Sequence, residues 1–437
     1  MKILDFLEQH AAAQPDKTFV TQSDGQSMSY GQFWHEVCRR AEALNADHPR
    51  HTAVVLRASQ TLSYLLDYFA CHKAELVAVP VEHDLPDDRM LAIRQQVTDI
   101  VFPPEASDIL FTTGTTGTPK GVVLSHKALM TDAENLARAH GYHTDLTFII
   151  NGPLNHFGSH SKVLPVVLTG GSLRLMDGMK SLEDFYAVVD AVSGPVATFL
   201  VPASIRMLIQ FSAERLAGHA DQIELLETGA APISQSDMQQ LASLLPHSRL
   251  FNTYAGSEVG VVCTYAFNDG LCLPSCVGPA YPLSHVTLRD GVVVCSGNGL
   301  MMGYLGQPLV ETVPEIVTSD LGRMDEQGRL FLTGRQSDLI NVGGMKVSPI
   351  EVEDVAAAVI PGLKDCICVA QSHSVMGSVP KLLVVMCEGA ELDKRAVARA
   401  MRQRLESYKV PVNIVAVEHI ERTYNGKLDR KFYTRAQ

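Results

Sequence analysis

The segment Ile109–His126 has the sequence Ile-Leu-Phe-Thr-Thr-Gly-Thr-Thr-Gly-Thr-Pro-Lys-Gly-Val-Val-Leu-Ser-His. Two apolar runs flank its central part, Thr112–Lys120, which holds two glycines and five threonines in nine residues. This pattern predicts a strand, a loop and a second strand. Backbone amides, hydroxyl groups and the ammonium group of Lys120 all suit phosphate oxygens. We therefore predict that the loop binds a polyphosphate.

The loop differs from two common phosphate-binding motifs. A P-loop has the pattern G-x-x-x-x-G-K-[ST]. Here the fifth residue after Gly114 is Pro119, and Lys120 is followed by Gly121. The loop does not fit the G-x-G-x-x-G pattern either. Neither of these two motifs therefore accounts for the predicted phosphate site.

Outward from the loop, helical and strand patterns alternate up to about residue 280. An amphipathic helix is predicted at Ile3–Ala12 and another helix at Thr61–Ala70, and a hairpin joins Thr18–Gln22 to Met28–Tyr30. Buried strands are predicted at Thr52–Leu56, Glu75–Val81, Ala197–Val201, Ile223–Thr228 and Arg249–Tyr254. Such alternation indicates an α/β fold with largely parallel, helix-covered sheets.

The pattern changes twice in the second half of the chain. After about residue 280 the segments are short, rich in glycine and strand-like, and a further α+β stretch follows Gly334-Arg335. We predict an N-terminal domain (1–334) of helix-covered sheets with a β-rich subdomain, a hinge (335–338) and a small, mobile α+β C-terminal domain (339–437).

Composition excludes several classes of protein. The 437 residues carry 36 basic and 48 acidic side chains, so the net charge of −12 argues against a nucleic-acid partner. No apolar run reaches the roughly 18–20 residues of a membrane span, and charges interrupt the N-terminal stretch where a signal peptide would be apolar. The nine cysteines are scattered, which argues against a disulfide scaffold. We expect a cytoplasmic protein.

The loop at Thr112–Lys120 resembles the phosphate-binding signature of the acyl-adenylate-forming superfamily. That superfamily contains acyl- and aryl-CoA ligases, adenylation domains and firefly luciferase, and its other motifs follow in order along nearly the whole chain. The resemblance implies that Thr112 and Lys120 act in catalysis on the phosphates of ATP. The other loop residues that it assigns to ATP are Thr113, Gly114, Thr115, Thr116 and Gly117.

A second motif, Tyr254-Ala-Gly-Ser-Glu258, is similar to the family's Tyr-Gly-x-Thr-Glu. The resemblance implies that Tyr254 packs on adenine, that Ser257 contacts phosphate and that Glu258 holds Mg²⁺. These roles agree with chemistry, because an aromatic face suits a purine and a hard carboxylate suits Mg²⁺.

Two more motifs resemble contacts to the nucleoside of ATP. The small residues Gly229, Ala230 and Ala231 match a turn beside adenine, where they allow close approach of the backbone. Thr318-Ser-Asp-Leu-Gly322 matches T-x-D-x-G, which implies that Asp320 binds both ribose hydroxyls. A carboxylate accepts hydrogen bonds only, so it suits a diol.

The C-terminal motifs resemble a hinge and a mobile lid. The match over Gly334–Glu351 implies that Arg335 contacts ribose and that Lys346 lies near the nucleotide or the incoming thiol. The hinge position falls at Ser337 or Asp338, between which the sequence does not decide. Arg422-Thr-Tyr-Asn-Gly-Lys-Leu-Asp-Arg430 matches the motif of the catalytic lysine, which here is Lys427.

One region is shorter than in the family. Only Glu82–Phe111 separate a predicted strand from the phosphate loop, so a helix–strand unit is expected to be missing. The sequence leaves open what replaces it, and a homodimer contact is one candidate.

The resemblance places the acyl pocket near Asn155–Gly158, with Phe157, Val201 and Thr228 as lining residues and His156 as a gate. Family members that activate amino acids usually carry an Asp shortly after this position. Here Asn155–His160 contains no acidic residue. We therefore expect a small acyl or aryl acid rather than an α-amino acid.

The resulting hypothesis is an ATP- and Mg²⁺-dependent acyl- or aryl-CoA ligase that forms acyl-AMP and pyrophosphate. The alternative is an acyl-AMP ligase that loads a phosphopantetheinyl acyl carrier protein. In either case the thiol, CoA or the carrier, is expected to come in trans, because no carrier signature follows Arg430. A non-catalytic nucleotide-binding module and a luciferase-like oxygenase are further alternatives with less support from the motifs.

Overall fold

The structure is a computed structural model that describes residues 1–112, 120–422 and 428–435. Its α-helices are α1 (Ile3–Ala13), α2 (Tyr30–Asp47), α3 (Leu62–Lys73), α4 (Asp87–Val97), α5 (His126–His140), α6 (Phe157–Thr169), α7 (Leu182–Asp190), α8 (Pro202–Gly218), α9 (Gln235–Leu244), α10 (Pro349–Val359), α11 (Lys394–Arg402) and α12 (Arg430–Arg435). Short 3₁₀ helices lie at Phe267–Asp269 and Gln336–Asp338.

The strands in the first half are β1 (Thr18–Thr21), β2 (Ser27–Ser29), β3 (Ala53–Ala58), β4 (Val77–Glu82), β5 (Ala106–Thr112), β6 (Lys120–Ser125), β7 (Thr147–Ile150), β8 (Ser172–Leu175), β9 (Val196–Leu200) and β10 (Ile223–Gly229). The remaining strands are β11 (Arg249–Gly256), β12 (Gly260–Ala266), β13 (Cys276–Gly278), β14 (Ser284–Arg289), β15 (Val292–Gly297), β16 (Gly303–Tyr304), β17 (Ile316–Met324), β18 (Leu330–Arg335), β19 (Ile340–Val342), β20 (Met345–Val347), β21 (Leu363–His373), β22 (Gly377–Met386) and β23 (Asn413–Ala416).

The largest sheet has eight strands in the order β12-β11-β10-β9-β7-β8-β1-β2. Its inner neighbours are parallel, and antiparallel pairs occur only at the two edges, β11–β12 and β1–β2. Helices join the parallel strands, so the carboxyl ends of β9, β10 and β11 lie side by side. Ligands bind at this edge in open α/β sheets.

A second sheet of five strands, β16-β6-β5-β4-β3, carries the phosphate loop. β5 and β6 are antiparallel and pair Thr112 with Lys120, which confirms the two strands predicted on either side of the loop. The loop residues 113–119 lie outside the described residues. The short connection between the parallel strands β4 and β5 contains the single helix α4.

Two further sheets follow. The antiparallel sheet β13-β18-β17-β15-β14 is the β-rich part predicted after residue 280. The C-terminal sheet, β20-β19-β22-β21 with β23 beside β22, packs on α10 and α11 around its own apolar core. The α/β fold class predicted from the sequence is therefore confirmed, while the exact domain limits and the hinge remain predictions.

Local sequence signals explain where α5 begins and ends. The hydroxyl of Ser125, the last residue of β6, accepts a hydrogen bond from the amide of Ala128 at 3.0 Å and caps the helix. Gly141 ends it with φ +68°, and a Cβ there would lie 2.1 Å from the Arg249 guanidinium. Glycine adopts this left-handed conformation without strain and leaves room for the guanidinium group.

Asp132 on α5 is buried, and its carboxyl group accepts a hydrogen bond from the amide of Val261 at 2.9 Å. Burial raises the pKa of Asp132 to about 8. Below about pH 4 this group is protonated in both the folded and the unfolded chain. As the pH rises towards 8, only the unfolded chain ionises, so stability falls.

Asp132→Asn is therefore expected to reduce the loss of stability between pH 5 and pH 8. The difference in Tm between the variant and the wild type should shift in favour of the variant as the pH rises. Thermal unfolding across this range measures it, and a Tm difference that does not change with pH would contradict the assignment.

Candidate active site

Three residues that the sequence assigned to the nucleoside lie together in the structure. The Tyr254 hydroxyl donates to Asp320 Oδ2 at 2.7 Å, and Arg335 Nε donates to Asp320 Oδ1 at 2.8 Å. Asp320 on β17 faces Arg335 on β18 in register, and Tyr254 comes from β11 in the largest sheet. Burial, with Asp320 nearby, raises the pKa of Tyr254, so this hydroxyl keeps its proton.

This cluster has the chemistry to hold ribose. A carboxylate has about four lone-pair sites. Two of those of Asp320 are used by Tyr254 and Arg335, which leaves one on each oxygen for a hydroxyl. The neighbouring guanidinium keeps the carboxylate in place. The residues present therefore fit the ribose diol of ATP.

The turn predicted beside adenine follows β10, next to β11. A Cβ at Gly229 would lie 2.7 Å from the carbonyl oxygen of Thr253, so this position requires glycine. Ala230 has φ +66°, a conformation that non-glycine residues rarely adopt. The Thr228 hydroxyl is buried and has no hydrogen-bond partner among residues 1–112, 120–422 and 428–435. A buried hydroxyl in this state is a candidate ligand contact.

Glu258, predicted to hold Mg²⁺, lies after β11 beside Tyr304. The Tyr304 hydroxyl donates to Glu258 Oε1 at 3.4 Å, and the ammonium group of Lys120 lies 5.2 Å from the centre of the Tyr304 ring. Pairing of β16 with β6 brings Tyr304 to this place. The structure thus connects the last residue of the phosphate loop to the predicted metal carboxylate through one aromatic side chain.

The surroundings of Glu258 fit a single carboxylate contact to Mg²⁺. Within the described part of the chain, no basic side chain forms a salt bridge with it, and no group of three His, Cys, Asp or Glu residues could hold a metal by itself. Mg²⁺ at phosphate sites commonly takes one or two carboxylates, with waters and phosphate oxygens as the other ligands. Glu258 therefore suits a metal that arrives with the nucleotide.

The predicted acyl segment forms the start of α6. His156 is the residue before the helix, and Phe157 is buried in its first turn. A Cβ at Gly158 would lie 3.4 Å from Phe199 Cε1, and a Cβ at Gly229 would lie 3.5 Å from Phe199 Cε2. The Phe199 ring on β9 therefore stands between the acyl segment and the adenine turn, two residues before Val201.

A cavity of about 370 Å³ adjoins the acyl segment. It lies at the carboxyl ends of strands from both helix-covered sheets, and Asn155 lines it. Two carboxylates, Glu82 and Asp177, and one lysine, Lys180, line it as well. The buried side-chain oxygen of Asn155 has no hydrogen-bond partner in the residues that the structure describes.

Several predicted site residues are not tied to these clusters. Lys346 is exposed on β20, and Ser337 and Asp338 form part of the 3₁₀ helix after β18, where the two side chains are hydrogen-bonded to each other. Ser257 lies in the turn before Glu258 and is partly buried. Lys427 and the loop residues Thr113, Gly114, Thr115, Thr116 and Gly117 lie outside the described residues.

The sequence did not reveal Tyr304 or Phe199. Tyr304 belongs to a strand of two residues, too short to give a periodic signal. Phe199 sits in a buried strand whose apolar residues look alike. A signal for Phe199 did exist in the two glycines that face it, Gly158 and Gly229, but sequence spacing does not show which ring they accommodate.

The fold and these clusters define a two-part α/β protein of the nucleotide-binding class. The chain belongs to the AMP-binding enzyme family, whose model matches residues 7–102 and 94–305. The model of the AMP-binding enzyme C-terminal domain matches residues 351–427. The resemblance inferred from the sequence motifs is therefore confirmed.

Curated relatives of this chain are named as CoA ligases. The putative long chain fatty acid-CoA ligase VraA of Staphylococcus epidermidis is 24% identical over 98% of this chain and 97% of its own length. The 3-[(3aS,4S,7aS)-7a-methyl-1,5-dioxo-octahydro-1H-inden-4-yl]propanoyl:CoA ligase of Rhodococcus jostii is 27% identical over 75% of this chain. This chain spans 64% of the length of that relative.

Solved structures share the fold over the whole chain. ATP-bound MatB from Rhodopseudomonas palustris matches with a TM-score of 0.86 at 21% identity, covering 100% of this chain and 99% of the other. The amide bond synthetase McbA from Marinactinospora thermotolerans matches with a TM-score of 0.84 at 20% identity, covering 99% of each chain. At these identities the likeness shows the fold alone. No helix among the described residues is long and apolar enough to cross a membrane.

Proposed function

We propose that this chain is an AMP-forming acid–thiol ligase that activates a carboxylic acid with ATP and transfers the acyl group to CoA. The observation that carries the proposal is the cluster of Tyr254, Asp320 and Arg335, which suits a nucleoside and lies beside the adenine turn. Family membership and the names of the relatives support the same reading.

The first step joins two anions, so the site must neutralise and align them. The carboxylate oxygen attacks the α-phosphorus of ATP, the bond to the β-phosphate oxygen breaks, and pyrophosphate leaves. Lys120 and the loop before it would hold the β- and γ-phosphates. Asp320 and Arg335 would hold the ribose, and Thr228 would offer its hydroxyl to the nucleotide or the acid. Mg²⁺, when bound at Glu258, would supply further positive charge to the phosphates.

The second step needs a different arrangement. Lys427 would reach the site from the C-terminal part during adenylation and leave it before a thiol displaces AMP. Rotation near Ser337 or Asp338 would make this exchange. The thiol sulfur then attacks the acyl carbonyl carbon, and AMP leaves with the bonding electron pair.

CoA is the proposed acceptor, because the relatives are named for it. A separate test distinguishes CoA from a carrier protein as the acceptor of the acyl group. Acyl-AMP formed on the enzyme is offered CoA or a holo acyl carrier protein, and thioester is measured by mass spectrometry. Thioester on CoA supports the proposal, whereas transfer to the carrier alone would replace it with the carrier-loading reaction.

ATP–pyrophosphate exchange with a panel of carboxylic acids tests the whole proposal. The panel should include short and long aliphatic acids, aryl acids and dicarboxylic acids. Exchange that depends on one class of acid is the expected result. Exchange with none, together with tight binding of ATP, would indicate a nucleotide-binding module instead.

Asp320→Ala is expected to weaken ATP binding by about 1–3 kcal/mol, the cost of removing one partner from a buried hydrogen bond. That corresponds to roughly 5- to 150-fold in Kd. Isothermal titration calorimetry with ATP measures it. Asp325→Ala is the matched control, since Asp325 lies in the turn of the same hairpin and pairs with Arg329 at 2.7 Å. Equal ATP affinity in the two variants would remove Asp320 from the site.

A further inference from the structure

Helix α6 carries two buried charged contacts on opposite sides. His160 contacts Asp108, and Lys162 contacts Glu227. Each residue of an α-helix turns about 100°, so side chains two positions apart point in nearly opposite directions. One contact therefore faces the five-stranded sheet that contains β5, and the other faces the eight-stranded sheet that contains β10.

The contact on the β5 side is a network around one carboxylate. Asp108 accepts hydrogen bonds from His160 Nε2 at 2.8 Å and from the Tyr68 hydroxyl at 2.9 Å on one oxygen. On the other it accepts from His72 Nε2 at 2.8 Å and from the Ser107 hydroxyl at 3.1 Å. Burial acts to raise the pKa of Asp108, but His72 and His160 outweigh it and hold that pKa below its usual range. Asp108 is therefore a fully buried anion.

The contact on the β10 side is a buried ion pair. Lys162 Nζ lies 2.6 Å from Glu227 Oε1, and His140 Nδ1 lies 3.4 Å from Oε2. The exposed fractions of the Lys162 and Glu227 side chains are 2% and 0%. Burial acts to raise the pKa of Glu227, but Lys162 and His140 together outweigh it and lower that pKa to about 2. The Lys162 ammonium group also lies 5.3 Å from the centre of the Phe199 ring.

Both contacts end on strands that lead into predicted nucleotide loops. Asp108 lies on β5, four residues before Thr112, where the phosphate loop starts. Glu227 lies on β10, directly before Thr228 and two residues before the glycine of the adenine turn. α6 itself begins directly after His156, the predicted gate of the acyl pocket.

We propose that α6 sets the position of the carboxylic acid relative to ATP, with Asp108 and Glu227 as positioning residues for adenylation. The proposal rests on the proposed function. Buried ion pairs contribute little net stability compared with apolar packing, but their geometry is specific. Apolar contacts alone allow a helix to shift along a sheet, whereas two directional contacts on opposite sides hold it. A displacement of 1 Å at a reacting centre reduces rates by about 100-fold.

Four variants and a control test this role. Lys162→Met combined with Glu227→Gln removes both charges at once, so that no unpaired ion remains buried. Asp108→Asn removes the carboxylate from the contact on the β5 side. Lys162→Arg keeps the positive charge in the contact on the β10 side. Glu227→Gln alone shows the effect of the unpaired lysine. The control is Glu224→Gln, the same change at the other end of β10, where Glu224 pairs with Arg249 and His143.

The readouts are kcat and KM in ATP–pyrophosphate exchange, Kd for ATP, and Tm. We expect kcat to fall about 10- to 100-fold in the double variant and in Asp108→Asn. The Kd for ATP should stay within about threefold of the wild type, since the ribose cluster is untouched. Lys162→Arg should keep most of the wild-type kcat, and Glu224→Gln should behave as the wild type. A purely structural role would lower Tm and the fraction of enzyme that binds ATP, but it would leave kcat per ATP-binding enzyme near the wild-type value.

The outcomes separate this proposal from the proposed function. A wild-type enzyme without exchange on any acid would overturn both. An active wild type whose double variant and Asp108→Asn variant keep kcat within about threefold would overturn only the role of α6. Failure of both variants to fold would assign the two contacts to stability and would overturn the positioning role as well.

Discussion

Lys427→Ala is expected to lower the rate of acyl-AMP formation by at least about 100-fold, the loss seen when one group that stabilises transition-state charge is removed. The resemblance of Gly426-Lys427 to the family's catalytic motif carries this expectation. The ammonium group would act on charge that develops between the acid and the α-phosphate, so binding of ATP to the ground state should change little. ATP–pyrophosphate exchange and calorimetry with ATP measure the two quantities.

Two controls make this prediction specific. Lys394→Ala removes an exposed lysine at the start of α11 in the same part of the chain, and it should leave exchange unchanged. Preformed acyl-AMP should still be converted to thioester by Lys427→Ala, because the lysine would act only in the first step. Near-normal exchange in Lys427→Ala would show that another residue supplies the charge.

An α-amino acid is expected to be activated hundreds of times less efficiently than its des-amino analogue. Asn155–His160 has no carboxylate to pair with an ammonium group. Asp108, the acid that His160 contacts, is already occupied by His160 and its neighbours. Burying an unpaired ammonium group costs several kcal/mol, and each 1.4 kcal/mol is about tenfold. Phenylalanine against 3-phenylpropionate, and further matched pairs of other sizes, give the comparison in kcat/KM.

The structure identifies which side chains could reverse this preference. Glu82 and Asp177 line the cavity beside Asn155 and are the acids that could pair with an ammonium group there, although Asp177 already forms an ion pair with Lys180. Consistent preference for the amino acids would contradict the prediction. In that event Glu82→Gln and Asp177→Asn, assayed on the same pairs, would show which carboxylate is responsible.

Local patterns predicted most of the elements that hold the candidate site. The alternating segments located β9, β10 and β11 to within a few residues, and the apolar runs beside the threonine-rich segment located β5 and β6. Each of these signals lies within about ten consecutive residues, because periodicity, turn residues and helix caps act locally. Family motifs then associated Asp320, Arg335 and Tyr254 with one ligand, and the structure brings these three side chains into direct contact.

The sequence by itself determined the succession of strands, helices and phosphate loop, since short-range backbone preferences specify these. Only the tertiary structure decided which side chains meet across long separations. His160 is a helix residue whose partner, Asp108, lies 52 positions away, and Lys162 pairs with Glu227 over 65 positions. In the sequence, nothing near these residues indicates which acid will meet which base. Their buried pairing depends on how two sheets pack on opposite sides of α6, because a charge removed from water is stable only where folding supplies its partner.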